Sequence, residues 1–484
     1  MGANNDELIA RLGRWSSGRG PLYLLLAVRL RALIDDGELR PGTLLPPDRE
    51  LARSLAVGRG TVVAAYDLLQ QEGRVVRRQG SGTRVCAAQR PLSGPGGTAG
   101  TAGTADTTAN PLLLHLLDPP ENVTLLSCAA PDGPPPVLVE AYLEAAARLG
   151  RIRHDIGYHP AGYPELRERI ASYHRERGVP TTAGQIMVTN GGQQALTLLA
   201  NLLLSPGDTV LTEAPTYPGA LESFREAAAL FRTAADAEAF GAALADRPAL
   251  GYLVPTCHNP TGAIMPPLVR RRLAALAAEH DVPLVEDEVP AELCFSGETP
   301  PPLAYFGDGR RIITVGSLSK LVWGGLRIGW IRAAAPVISR LVRLRAVHDL
   351  GGEILGQLAA ASLISQMDRL RRDRIDVLRR RHDHLLGELA AKLPSWSAEP
   401  ALGGQTIWVR LPGDAGAFAQ VALRHGVAVP QGRSFDPSGG HGDHLRLPFL
   451  FDEETLTASV TALAAAWRDY DGTRRPGTLQ ALVV

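Results

Sequence analysis

Apolar residues set two rhythms along the chain. Leu24, Leu25, Val28, Leu33 and Ile34 recur at near-helical spacing, and Gly37 closes that segment. A short helix pair follows. Asp48 is a suitable N-cap for a helix through Ala56, Val57 and Gly58 supply a turn, and Thr61 to Glu72 predict a second helix ended by Gly73. Arg74 to Val85 reads as two short strands around Gln79, Gly80, Ser81 and Gly82. Beyond residue 110 the rhythm changes: apolar helical segments alternate with short apolar strands at Gln185 to Thr189, Thr209 to Glu213, Leu250 to Pro255, Pro283 to Asp287 and Ile312 to Gly316. That alternation predicts an α/β fold with a mostly parallel sheet and chemistry in the loops beyond its strand ends.

The first rhythm has the element order of a winged helix-turn-helix, in which the helix from about Gly60 would enter a major groove. Arg49, Arg59, Thr61 and Arg84 then sit where a recognition helix, its partner and a wing meet phosphates or base edges of double-stranded DNA. The plainer reading is a small helical domain with solvated arginines. Residues 91–110, PLSGPGGTAGTAGTADTTAN, lack any side chain able to anchor a core and read as a flexible linker. The expected division is therefore a DNA-binding head over 1–90, a linker over 91–114 and a body over 115–475, with a smaller subdomain from about 345.

Composition changes this picture in three ways. The formal net charge of zero hides an asymmetry, because residues 1–90 hold fourteen Arg against nine Asp plus Glu, leaving 14 − 9 = +5 on the head and −5 on the rest. A basic head on an acidic body points to nucleic acid. Cys86, Cys128, Cys257 and Cys294 have no paired spacing, so no disulfide framework or metal site is expected and a reducing cytoplasm fits. The N-terminus has no basic segment leading into an apolar run, and no apolar stretch is long enough to span a bilayer, so a secreted or membrane-embedded protein is not expected. Lys320 and Lys392 are the only lysines among 50 basic residues. A lysine kept against so strong a bias marks a place where guanidinium cannot serve, and imine chemistry is such a place.

Five loops carry candidate chemistry. Asn190, Gly191, Gly192, Gln193 and Gln194 follow a strand and open a helix, where backbone N–H groups can receive a phosphate; a plain strand-to-helix turn has the same look. Tyr217, in PTY, is placed to lie against an aromatic ring or to fill a core. Asn259, in HNPTG, is suited to donate to a phenolate oxygen. Asp287 ends an apolar strand, and a carboxylate there needs a partner, which a protonated pyridine nitrogen would be; an acid that caps a following helix is the plainer reading. Ser317, Lys320 and Arg327 bring an amine, a hydroxyl and a guanidinium together, the last two suited to a phosphate.

The run PLYLLLAVRLRALIDDGELRPGTLLPPDRELARSLAVGRGTVVAAYDLLQQEGRVVRRQGSGTRV resembles the GntR-type winged-helix domain, departing from it at Gly58, where a small polar residue is usual. The ordered set GGQ, PTY, HNPTG, ED and SLSK with a downstream Arg is similar to fold-type I aminotransferases over roughly residues 120–470. The resemblance implies pyridoxal 5'-phosphate carried as an imine on Lys320, paired through its ring nitrogen with Asp287 and through its ring oxygen with Asn259. Tyr217 stacks on the ring, and Gly192, Gln193, Ser317 and Arg327 hold the phosphate. Arg446, in HLRLPFLF, matches the arginine that forks onto a substrate carboxylate. Tyr158, in GYHPAGYPELRERI, matches a tyrosine that reaches the neighbouring subunit's phosphate, which implies a homodimer.

Fusion of the two parts resembles the MocR group of GntR-family regulators. It implies a regulator whose body senses the cofactor, or an amino compound held as an external aldimine, and so changes operator occupancy. A working aminotransferase with a DNA-binding appendage is the second reading, and a head that binds protein instead of DNA the third. Val289 and Pro290 stand where such proteins commonly carry a tyrosine near the ring oxygen, so one cofactor contact is expected to be missing and transamination to be weakened.

Overall fold

The computed structural model describes residues 5–12, 22–35, 39, 43–55, 57–71, 75–78, 82–85, 123–127, 133–307 and 309–470. The chain forms two compact units, Met1–Asp106 and Thr107–Val484. The expected linker over 91–114, the hairpin tip at 79–81, Gly37, Gly73, Cys86 and Cys128 lie outside the described residues.

In the first unit, helices Asn5–Leu12, Leu22–Asp35, Asp48–Ser54 and Arg59–Gln71 surround one core. Leu26, Leu30 and Leu33 recur every three or four residues and bury one stripe of the second helix against Leu51, Val62, Tyr66 and Leu69. Leu8 and Leu12 of the first helix complete that core. The Tyr66 hydroxyl, buried with its ring, donates to the Pro46 carbonyl at 2.9 Å, so the aromatic payload carries no unmet polar cost. Strands Val75–Arg78 and Gly82–Val85 pair antiparallel, and Leu44–Leu45 adds to the outer side of the latter, completing a three-stranded wing.

The helix expected from an Asp48 cap begins differently. Asp48 is its first residue, Pro47 occupies the cap, and the Pro47 carbonyl accepts from the Glu50 and Leu51 amides. Proline's fixed φ suits that entry, which leaves the Asp48 carboxylate to face Arg59 at 3.5 Å. The same helix ends at Ser54, short of Ala56, and the next starts at Arg59, where the Thr61 amide already reaches the Gly58 carbonyl.

In the second unit, strands β1 (Ile186–Thr189), β2 (Thr209–Glu213), β3 (Leu230–Ala234), β4 (Leu250–Leu253), β5 (Leu284–Asp287), β6 (Ile312–Ser317) and β7 (Gly329–Arg332) form one sheet. Its order is β1-β7-β6-β5-β4-β2-β3. β7 alone runs antiparallel to its neighbours, so Gly329 at its start lies beside both Ser317 and Thr189 at the ends of β6 and β1. The expected strands are all present, with ends shifted by one or two residues. β4, β5 and β6 are buried at every position, as parallel strands covered on both faces must be.

Helix Ala335–His348 packs Ile338 and Leu341 into the core on one face of this sheet. The chain then passes through Asp349–Glu353 into helix Ile354–Ile364 and the long helix Met367–Lys392. A smaller sheet of Ser397–Ala398, Thr406–Arg410 and His444–Pro448 packs with helices Ala415–Arg424 and Glu453–Asp469. Trp396, Phe418 and Trp467 meet edge to face there, with centroids 5.2–5.5 Å apart.

A Cβ built at Gly60, in the first turn of the recognition helix, meets no atom within 4 Å. Gly60→Ala should therefore stabilise the first unit by about 0.5–1 kcal/mol. Calorimetry of the full chain should show its transition at higher temperature, and a lower one would mean that the glycine is required by the fold.

Candidate functional site

Three carboxylates follow one another at the end of β5, and strand alternation sends them different ways. Glu286 accepts from the Leu303 amide at 2.6 Å and the Thr314 hydroxyl at 2.7 Å, while burial and the neighbouring Glu288 push its carboxyl up to about 7. Glu288 pairs with Arg177 at 2.7 Å and accepts from Thr256 at 2.9 Å. Asp287 is directed to the other face, where its two oxygens accept from the Tyr252 hydroxyl at 2.7 Å and the Val289 amide at 3.0 Å. Burial pushes the Asp287 carboxyl up to about 6, against the downward pull of those donors and of the nearby Lys320.

Lys320 lies in the turn after β6, half-buried, and its carbonyl accepts from the Gln405 side chain at 3.1 Å. Ser317, last in β6, has its hydroxyl 2.9 Å from both the Ile328 carbonyl and the Ser319 hydroxyl, with one proton to give to either, and accepts from the Ser319 amide. Arg327 adopts a left-handed conformation with φ 52° just before β7. Its Nη2 donates to the Asn190 carbonyl at 2.5 Å, across from the helix Gly191–Leu203. Gly191 has φ 83°, and a Cβ there would lie 2.8 Å from the Arg327 guanidinium, so the glycine admits the arginine to the loop. Gly192 lies against Val289, whose side chain would come within 3.0 Å of an added Cβ.

The Gln193 side chain is turned away from this cup. It donates to the Gly219 carbonyl and the Ser223 hydroxyl and accepts from the Tyr217 hydroxyl at 3.1 Å, so its amide steadies Tyr217 and only its backbone N–H stays with the helix N-terminus. The Thr216 amide reaches the Phe435 carbonyl at 2.8 Å, joining the Tyr217 loop to the turn Gly432–Phe435. Arg446, 4% exposed, donates to the Ser127 carbonyl and reaches Asn259 Oδ1 at 3.4 Å, with its guanidinium 5.0 Å from the Phe435 ring centre. Lys320 and Tyr252 thus lie near Asp287, Gly191 lies beside Arg327, and Asn259 lies beside Arg446. Tyr158 stands apart, 62% exposed.

On the first unit, Arg49, Arg59 and Arg84 are exposed and Thr61 is half-buried. Arg49 lies on the helix Asp48–Ser54, Arg59 and Thr61 open the next helix, and Arg84 lies in the wing strand opposite Leu44 and Val76.

Tyr252 and the Ser127 carbonyl are not found from sequence, and Gln194 is found only as part of its loop, with no role of its own. Tyr252 is one hydroxyl in an otherwise apolar strand, and only the pairing of β4 with β5 brings it to Asp287. Among the described residues no group of His, Cys, Asp and Glu is arranged to hold a metal ion, and no helix is long and apolar enough to cross a membrane.

A mostly parallel sheet with a lysine, a buried aspartate, an asparagine and an arginine at its strand ends defines an aminotransferase-type body. Residues 121–463 match the aminotransferase class I and II family, and residues 22–85 match the gntR family of bacterial regulatory proteins. The chain is 30% identical to the uncharacterised HTH-type transcriptional regulator YisV of Bacillus subtilis (strain 168), over 91% of this chain and 95% of that one. It is 32% identical to the probable rhizopine catabolism regulatory protein MocR of Rhizobium meliloti, over 72% of each. Among solved structures, the α-aminoadipate aminotransferase LysN of Thermus thermophilus, complexed with N-(5'-phosphopyridoxyl)-L-leucine, superposes with TM-score 0.66 and 29% identity over 74% of this chain and 94% of that one. The chain belongs to the aminotransferase class I and II family and, through its gntR-family head, to the MocR-type transcription regulators.

The unfolded reference for Asp287 is 3.8. Between that pH and about 6 the folded state holds a proton there that the unfolded state has released, so this group's contribution to stability falls as pH rises through 6. Cofactor-free Asp287→Asn protein should melt above the unaltered protein at pH 7.5, and the gain should shrink as the pH is lowered towards 4. An equal gain at both pH values in scanning calorimetry would contradict the buried charge.

Proposed function

We propose that this chain is a pyridoxal 5'-phosphate-dependent regulator that binds operator DNA through its head and senses the cofactor, an amino compound, or both through its body. The observation that carries the reading is the fusion of a gntR-family head to a body with Asp287 and Lys320 at the ends of the neighbouring strands β5 and β6 and Asn259 beside Arg446.

Residues at the strand ends fit the cofactor. Asp287 is a buried carboxylate held by neutral hydrogen-bond donors, and its raised pKa marks it as short of positive charge; a protonated ring nitrogen supplies that charge. The first amides of the helix Gly191–Leu203, with Arg327 across from them, suit a phosphate dianion. Bound there, the cofactor supplies an aldehyde that condenses with primary amines and a ring that withdraws electrons. Lys320 is the resident amine, Tyr217 the flat face, and Asn259 the donor to the ring oxygen. Arg446 meets an amino acid's carboxylate with its planar fork, beside Asn259, and so orients the amine towards Lys320. Sensing requires that such binding favour one arrangement of the protein over another.

Arg49, Arg59, Thr61 and Arg84 are the head residues assigned to DNA. The exposed loop bearing Tyr158 is assigned to a second copy of the chain, and a cytoplasmic homodimer is the expected form. The second reading, a working aminotransferase, is favoured by the completeness of the Lys320, Asp287 and Arg446 set and by the likeness to LysN.

Visible absorption separates the two. Protein loaded with cofactor should carry a band that Lys320→Ala abolishes; titration with amino acids should shift this band and leave it shifted in a sensor. Release of keto acid with loss of the band would mean a transaminase. For the head, Arg59→Ala should weaken DNA binding across sequences and lower the slope of log affinity against log salt by about one. An unchanged slope in a fluorescence-anisotropy salt series would remove Arg59 from the phosphate contacts.

A further inference from the structure

The loop that opens the helix Gly191–Leu203 is held from behind by side chains outside the assigned ligand set. The Asn190 amide donates to Gln194 Oε1 at 2.8 Å, and the Gln194 Nε2 donates to Asp349 Oδ2 at 2.9 Å. The other Asp349 oxygen accepts from Arg345 Nε at 3.0 Å and from the Gly351 amide at 2.9 Å. Arg345 Nη1 donates to the Val188 carbonyl, one residue before the end of β1. Arg327 grips the Asn190 carbonyl from the opposite side. The backbone of 188–190 is therefore clamped at Val188 O, Asn190 N and Asn190 O, which sets where the following amides point.

Arg345 is fully buried, and the cost of a fully buried guanidinium is offset here by its pairing with Asp349 and its bond to the Val188 carbonyl. Its Nη2 has no partner among the described residues, and a Cβ on Gly352 would sit 3.0 Å from Asn190 Oδ1 and 3.4 Å from that Nη2. Asp349 remains ionised: burial opposes its charge, but the Gly351 amide, Arg345 and Gln194 outweigh it and hold its pKa below the ordinary range. Asp349 also begins the connection from the large half of the body to helix Ile354–Ile364, a segment with Leu350 at φ 57° and Gly351 at φ 112°. A Cβ on Gly351 would overlap the His159 carbonyl, so the connection rests directly on the loop that bears Tyr158.

We propose that Gln194, Asp349 and Arg345 form a latch that holds the Asn190–Gly192 loop in its phosphate-accepting shape, making them positioning residues for the cofactor phosphate. The latch joins that loop to the connection between the two halves of the body and to the loop of Tyr158. The inference rests on the cofactor reading above and goes beyond it by assigning three residues that touch neither ring nor phosphate.

Comparison of pyridoxal 5'-phosphate with pyridoxal, which lacks the phosphate, tests it. Full-length protein stripped of cofactor is titrated with each compound, uptake being followed by visible absorbance, for the unaltered chain, Asp349→Asn and Gln194→Leu. Asp349 is partly exposed and the Asn replacement is isosteric, so that variant should fold even if Gln194→Leu does not. Each variant is expected to bind pyridoxal 5'-phosphate about tenfold more weakly, the share of one hydrogen bond to a charged group, with pyridoxal binding unchanged. Equal weakening towards both compounds, or unchanged binding of pyridoxal 5'-phosphate, overturns the latch. An unaltered chain that takes up neither compound overturns the cofactor reading, and the latch with it.

Discussion

Keeping a carboxylate at 4% exposure at the end of a parallel strand costs free energy that its two neutral donors, the Tyr252 hydroxyl and the Val289 amide, only partly offset. The rest of the site is arranged around that debt. β4 and β6 flank β5, so Tyr252 and the Lys320 turn reach Asp287 from its two sides. The antiparallel β7 brings Arg327 back to the ends of β1 and β6, which puts a guanidinium beside the loop of Gly191 without breaking the sheet.

Much of this is legible in the chain because the residues that do chemistry sit immediately after apolar strands. Asp287, Ser317 and Asn190 each end or follow a run whose burial sequence predicts; parallel pairing of β5 with β6 brings the first two to one end of the sheet, while Asn190 joins them only through β7, which runs antiparallel to both β6 and β1. The direction of the Gln193 side chain is not legible locally: whether a side chain at a helix N-terminus turns to the loop or to a neighbouring helix depends on Gly219, twenty-six residues away, whose lack of a Cβ makes room for the Gln193 amide. Tyr252 and Asp349 are invisible for a similar reason. Their partners come from pairing and chain return across 35 and 155 residues, and nothing local marks either as functional. The Asp48 helix is displaced by one residue because proline satisfies the entry geometry first, freeing the acid for Arg59.

Val289 and Pro290 take the place where a tyrosine is expected, and Val289 packs against Gly192 at the loop. The hydroxyl at the end of β5 is that of Tyr252, brought in by the neighbouring β4, and it donates to Asp287.

The helix Asn5–Leu12 lies before the segment that matches the gntR family, yet Leu8 and Leu12 are each 1% exposed in the head's core, and Arg29 donates to the Arg11 and Leu12 carbonyls. The folding unit is therefore larger than the recognisable one. A head excised at residue 22 would carry its complete DNA-reading sequence with an open apolar trough along its second helix, and such a fragment would report the stickiness of that trough as readily as the selectivity of the recognition helix.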